Sequence, residues 1–317
     1  MNNDQLLVSS SPHVHGGNSI KKDMYLVVLA LLFPIAGSIY FFGLYVALMF
    51  AVAIISSVLT EYVAKMMRRR AFVNDGSAIV SAILFVLVMP PRSPLWIVAL
   101  GSIFSIAVAK EMFGGLGQNI FNPALAGRAF VTVSFAGALN RWISPVQSVL
   151  SDGVATATPL SEGFSYAVSK AEMYKDLFFG GIGGSAGETS ALLILIGGLI
   201  LIAFRIIKWQ VPVLYIGTVA LLSWILGRDP LFQILAGGLF LGAFFMATDY
   251  VTTPLTTKGK AIFAVCAGVL VVLIRFFGAM PEGVAYSILL MNAFTPLIDR
   301  YVRPKVFGEV RQAKEET

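Results

Sequence analysis

"EMFGGLGQNIFNPALAGRAF" fills residues 111–130, and "RFFGAMPEGVAYSILLMNAF" fills residues 275–294. Each leads through a glycine- and proline-interrupted stretch into an apolar segment, the fifth and the tenth such segment of the chain. A second pair, "NDGSAIVSAILFVLVMPP" (74–91) and "RDPLFQILAGGLFLGAFFMAT" (228–248), matches in position and pattern. The chain therefore reads as a repeat of five segments. Five is odd, so the two units have opposite orientations. Inverted units of this kind build a central site from broken helices.

Composition sets the medium. Of 317 residues, 57% are hydrophobic and 13% charged, with a mean hydropathy of +0.82. A soluble domain carries roughly 25% charged residues. Apolar runs of about 20 residues recur, each enough to cross a hydrocarbon core about 30 Å thick. They are continuous rather than alternating, which excludes a β-barrel. The runs lie near 24–41, 43–64, 76–90, 93–113, 121–137, 188–207, 211–227, 231–248, 260–277 and 283–299. The expected fold is an all-α polytopic membrane protein of about ten transmembrane helices in two inverted five-helix repeats. The third segment is short and ends in Pro90-Pro91, so a half-helix or break is expected there; Pro123 sits where a first helical turn tolerates it.

The net charge is +6, but the basic residues gather beside segment ends, as membrane topology requires, so nucleic acid is not a partner. Lys21 and Lys22, the run 65–70, Arg205 and Lys208, Lys258 and Lys260, and Arg300, Arg303 and Lys305 all fall on one side of a ten-crossing chain. That side is the cytoplasm. The expected division is a cytoplasmic tail (1–20), a first transmembrane half (21–137), an extracytoplasmic loop (138–187), a second half (188–303) and a cytoplasmic tail (304–317).

Several polar groups stand in oily surroundings, where a charge costs at least about 2.5–3.5 kcal/mol and usually pairs or lines a site. Asn119 and Asn122 flank Phe121 in the broken entry to the fifth segment. Arg128 lies about one turn into it, and Asp249 precedes a Thr/Pro run. Lys110 and Glu111 end the fourth segment on the cytoplasmic side, where snorkelling would suffice. The glycine-rich run 179–188 reads as a loop before a helix, with Ser185 or Glu188 as the cap. His13 and His15 lie in a Ser/Gly/Pro tail of disorder-prone composition. Cys266 is the lone cysteine, which excludes an intrachain disulfide or a cysteine cluster held by this chain alone. No Walker, HExxH, GxSxG or Rossmann pattern occurs.

One stretch remains. "SDGVATATPL" (151–160) keeps Thr156 and Thr158 beside a proline in the expected external loop. It resembles the flavin-attachment loop of the RnfD/NqrB family, membrane subunits of ion-pumping redox complexes. "FGGLGQNIFNPALAGRAF", "TDYVTTPLTTKGK" and "PEGVAYSILLMNAFTPLID" resemble segments of the same family in the same order, from about Lys21 to Asp299. The family's loop core is Ser/Thr-Gly-Ala-Thr, whose last threonine carries FMN through a phosphoester. Laid on that core, residues 155–158 put the attachment at Thr158, although Ala155 and Thr156 stand where Ser-Gly is usual. Thr156 is the second candidate.

The length favours RnfD over NqrB. The resemblance implies a bacterial or archaeal plasma-membrane subunit of a ferredoxin:NAD oxidoreductase that moves Na⁺ or H⁺. RnfA, RnfB, RnfC, RnfE and RnfG would be its neighbours, and a flavin transferase would mature it. It also implies a second, noncovalent flavin, riboflavin, for which Asn119, Asn122, Arg128 and Asp249 are the candidate pocket. The competing expectation is a small-solute channel or transporter of inverted-repeat fold, which has no use for the threonine loop.

Overall fold

The structure, a computed structural model, describes residues 19–70, 72, 75–139, 160, 169–278 and 283–302. Among them every regular element is helical. The chain runs α1 (Ile20–Phe42), α2 (Leu44–Met67), α3 (Ser77–Leu87), α4 (Leu95–Ile106), α5 (Pro123–Ser134) and a short α6 (Ala136–Leu139). It continues with α7 (Lys170–Phe179), α8 (Ala191–Ala203), α9 (Gln210–Ile225), α10 (Pro230–Leu235), α11 (Leu239–Leu241), α12 (Thr257–Phe277) and α13 (Gly283–Tyr301). Two π-helical turns, Ala107–Glu111 and Gly242–Met246, extend α4 and α11.

Helices α1, α2 and α12 are long and apolar enough to cross a membrane, while α3, α8 and α9 are apolar but shorter. Outward-facing Leu29, Leu48, Ile55, Leu221 and Leu273 are exposed, as suits a lipid-facing surface.

Small residues set the closest approaches, as they do between helices in lipid. Pro34 interrupts α1 and has no N–H to offer the Ala30 carbonyl. Gly197 of α8 comes so near that carbonyl that a Cβ there would lie 2.5 Å from it. Ser38, one turn further on, donates to the Ala186 carbonyl at 2.6 Å. The α4–α5 contact is also close: a Cβ on Gly127 would meet the Gly101 carbonyl at 2.8 Å.

Packing follows a matched order. Helix α2 packs on α3 and α4, and α4 on α5; helix α9 packs on α10 and α12, and α12 on α13. The first and second groups meet where α1 lies on α8 and α5 on α13. The eighth apolar segment is broken as well as the third. After α10 the backbone turns through Gly237 and Gly238, both at positive φ (59° and 41°), before α11 begins. Glycine bears such angles without a Cβ penalty.

The expected external loop carries more order than its polarity implied. Helix α7 packs its Leu177 with Ile182 and Ala236, and Leu160, Met173, Phe232 and Leu235 close around them. Tyr174 donates to the Asp229 carboxylate, which also caps α10 by accepting from Leu231 and Phe232 N–H (3.1 and 3.3 Å). Those bonds outweigh the effect of burial and hold the Asp229 carboxyl below its ordinary value. The cap of α8 departs from expectation. Ser190 occupies that place and turns its hydroxyl to the Phe178 carbonyl (3.3 Å), while Glu188 accepts from the Ser185 N–H (3.4 Å) inside the loop.

Candidate functional site

Where the two groups of helices meet, a cavity of about 770 Å³ opens. Size and character suit a small organic ligand, since such pockets run to roughly 300–1,000 Å³ with apolar walls and a few placed polar groups. Leu84, Leu201, Ile206, Phe244 and Phe245 supply apolar wall; Asp23, Ser77, Lys110, Asn119, Asn122 and Asp249 supply the polar atoms.

Three of the four sequence candidates thus come together. Asn122 is the N-cap of α5, its side-chain oxygen accepting from Ala124 and Leu125 N–H (3.1 and 3.3 Å). Its own N–H donates to the Asn292 side chain of α13 (3.1 Å), and Asn292 donates in turn to the Thr252 carbonyl (3.0 Å). Thr295 donates to the same carbonyl at 2.9 Å. This chain of bonds ties the start of α5 to the Thr252 turn, which places Asp249. The Asp249 carboxylate accepts from the Thr252 hydroxyl (3.0 Å), the Thr253 hydroxyl donates to the Asp249 carbonyl (2.5 Å), and the turn stays closed. Asn119 donates to the Phe121 carbonyl (3.1 Å), but its side-chain oxygen is buried without a partner. A buried acceptor left unmet costs about 1–3 kcal/mol, so a cavity beside it invites a donor.

Arg128 is not on the cavity wall. It is buried on α5, and its guanidinium approaches the Met89 sulfur at 3.7 Å. The helix turn between Asn122 and Arg128 directs it to the other end of α3. Thr158 and Thr156 lie outside the described residues.

Lys110 and Glu111 do not snorkel. They are 1% and 2% exposed, and the π-helical turn that carries them aims both inward. Lys110 donates to Glu61 (2.8 Å) and to the Ser77 hydroxyl (2.6 Å). Glu61 takes a second cation, Lys65, at 3.0 Å, and Arg68 reaches Glu111 at 3.0 Å. Ser77 also donates to Asp75 (2.5 Å), whose carboxyl is held below its ordinary value because the Ser77 bonds and nearby lysines outweigh partial burial. Glu61 is the one member of this cluster that the polar pattern of the sequence did not single out. A signal exists all the same: a lone carboxylate in a 24-residue apolar helix seldom persists without an inward partner.

Across residues 7–308 the chain matches the NQR2, RnfD, RnfE family. It belongs to that family. Among its relatives is the RnfD subunit of the Na⁺-translocating ferredoxin:NAD⁺ oxidoreductase complex of Acetobacterium woodii, 44% identical and covering 99% of both chains. The corresponding subunit of the proton-translocating ferredoxin:NAD⁺ oxidoreductase complex of Clostridium ljungdahlii is 46% identical over 96% of both. That of an ion-translocating oxidoreductase complex from Mannheimia succiniciproducens is 34% identical over 95% of this chain and 97% of its own. The NQR2, RnfD, RnfE likeness therefore spans the described helices, both sides of the cavity and the threonine loop alike.

Proposed function

We propose that this chain is the RnfD subunit of an Rnf-type ferredoxin:NAD oxidoreductase in the plasma membrane, with FMN joined to Thr158 through its phosphate. The observation that carries the reading is end-to-end likeness to the matching subunit of two such complexes. One of those relatives is named for Na⁺ and the other for protons, so likeness leaves the coupled ion open between these two. The matched packing of α2 on α4 and α9 on α12 supports two inverted halves. The basic clusters support cytoplasmic termini and an external threonine loop.

The cavity residues fit a second flavin, held without a covalent bond. Asn119 offers an unmet acceptor for a ring or ribityl donor. The Lys110 ammonium holds positive charge at the wall, which favours an electron-rich occupant. Phe244 and Phe245 supply flat apolar surface. Flavins supply the one- and two-electron transfer; the chain need provide no acid or base of its own.

Leu160 supports a loop held close to this machinery. It packs where a Cβ on Gly237 would stand, 2.4 Å from its Cδ1, and Thr158 precedes it by two residues. Two Cα–Cα steps keep the Thr158 backbone within about 7.6 Å of Leu160. From Gly237 to Phe244 on the cavity wall is seven residues, or about 10 Å of helical rise. A tethered group and a cavity group are thereby within one protein's reach of each other.

The test is mass spectrometry of the chain purified from its own host. FMN mass on the 151–160 peptide, absent from Thr158→Ala, is the expected result. Loss only in Thr156→Ala would move the attachment by two residues. An unmodified chain from a host with an active flavin transferase would sink the reading and leave a colourless channel in its place.

A further inference from the structure

The basic clusters of the two helix groups are treated differently. Lys65, Arg68 and Lys110 each face Glu61 or Glu111 within 3.0 Å. Arg205, Lys208 and Lys260 form no ion pair among the described residues, yet all three line one cavity of about 460 Å³. Arg205 and Lys208 come from the turn after α8, and Lys260 from the first turn of α12. Lys208 donates to the Thr257 hydroxyl at 2.7 Å, which holds its ammonium toward α12. The nearest acid in charge terms is Asp299, felt at Lys260; its carboxylate is committed to the Leu255 N–H at 3.0 Å. Lys208 and Lys260 meanwhile repel one another, so three cations converge where the described residues supply no paired counter-charge.

The turn that presents them is fixed. Arg205 sits in the left-handed region at φ 58°. It ends α8 with the Arg205 N–H on the Ile202 carbonyl (2.9 Å) and the Ile206 N–H on the Leu201 carbonyl (2.9 Å). Glycine would close that helix end more cheaply. Ile206 and Ile207 are buried beneath the turn, and Tyr250 donates to the Ile206 carbonyl. Trp209 is exposed beside it, as an interfacial anchor is.

We propose that Arg205, Lys208 and Lys260 form a binding site for a phosphate-bearing anion, of the kind that an anionic phospholipid headgroup presents at the cytoplasmic membrane surface. Converging guanidinium and ammonium groups suit phosphate oxygens, and basic pockets between transmembrane helices on that face take anionic headgroups. The site shares Ile206, Ile207, Thr248 and Tyr250 with the larger cavity, so its occupant braces one wall of it.

Native mass spectrometry of the full chain, titrated with phosphatidylglycerol or with zwitterionic phosphatidylcholine, tests this. Tighter binding of phosphatidylglycerol is expected. The variant Arg205→Gly/Lys208→Gln/Lys260→Gln should weaken it roughly 100-fold, at the strength per basic residue usual for anionic surfaces, with phosphatidylcholine unaffected. If the triple variant does not fold, single variants should each lose about fivefold, and Lys208→Arg/Lys260→Arg should retain binding. Displacement by inorganic phosphate assigns the site to the free anion, and its failure assigns it to the lipid; both uphold it. Equal binding of phosphatidylglycerol by wild type and a folded triple variant overturns the proposal.

Discussion

Replacing Glu61 by glutamine removes the charge that two ammonium groups share. Lys110 is 1% exposed and keeps only the Ser77 hydroxyl as a close acceptor once the carboxylate is gone. Stranding a buried charge by removing its partner costs about 3–5 kcal/mol. Lys110→Met works in the opposite direction, because Glu61 retains Lys65 at 3.0 Å, on a side chain 16% exposed to solvent. The loss there is one charge-assisted bond, about 1.5–3 kcal/mol. In the double variant nothing is stranded, so its destabilisation should fall below that of Glu61→Gln alone. The two sites are therefore coupled, with the double change milder than the sum of its parts. The assay is reversible unfolding in mixed micelles with rising SDS, followed by tryptophan fluorescence, for wild type, both single variants and the double. Additive losses, or Lys110→Met as harmful as Glu61→Gln, would refute the account of a carboxylate shared by two cations.

Gly197→Ala should destabilise the chain by about 1–3 kcal/mol, since its Cβ would press on the backbone carbonyl of Ala30 at 2.5 Å; the same unfolding assay reads it. Asn119→Leu in a Thr158→Ala background should weaken retention of noncovalent flavin by about three- to tenfold, one hydrogen bond's worth, as read by flavin absorbance per chain. Asp229 has a folded pKa below its unfolded value of 3.8, so its contribution is complete above that value and is lost as pH falls through the folded one. Wild type should therefore lose stability below about pH 4 more steeply than Asp229→Asn, which still caps α10; parallel pH curves for the two would count against it.

Much of this architecture was legible in one dimension. Hydropathy alone announced helices in a membrane, because a bilayer core of fixed thickness demands long apolar runs whatever they pack against. Pro123 and Asn122 announced the start of α5, and Pro90-Pro91 the short α3, because both effects are local to the backbone. Asn119, Asn122 and Asp249 were candidates from their surroundings, since polar atoms in oil need partners wherever those partners are.

Tertiary structure decided the partners. That Lys110 meets Glu61 across 49 residues of chain, while Arg128 turns away from the cavity toward Met89, depends on helix rotation and on a π-helical turn. Neither leaves a periodicity to read. The break at Gly237–Gly238, the seat of Leu160 and the convergence of cations around Arg205 are likewise matters of which surfaces meet. Sequence sets the cost of each residue in lipid; only the packed fold determines which neighbour relieves it.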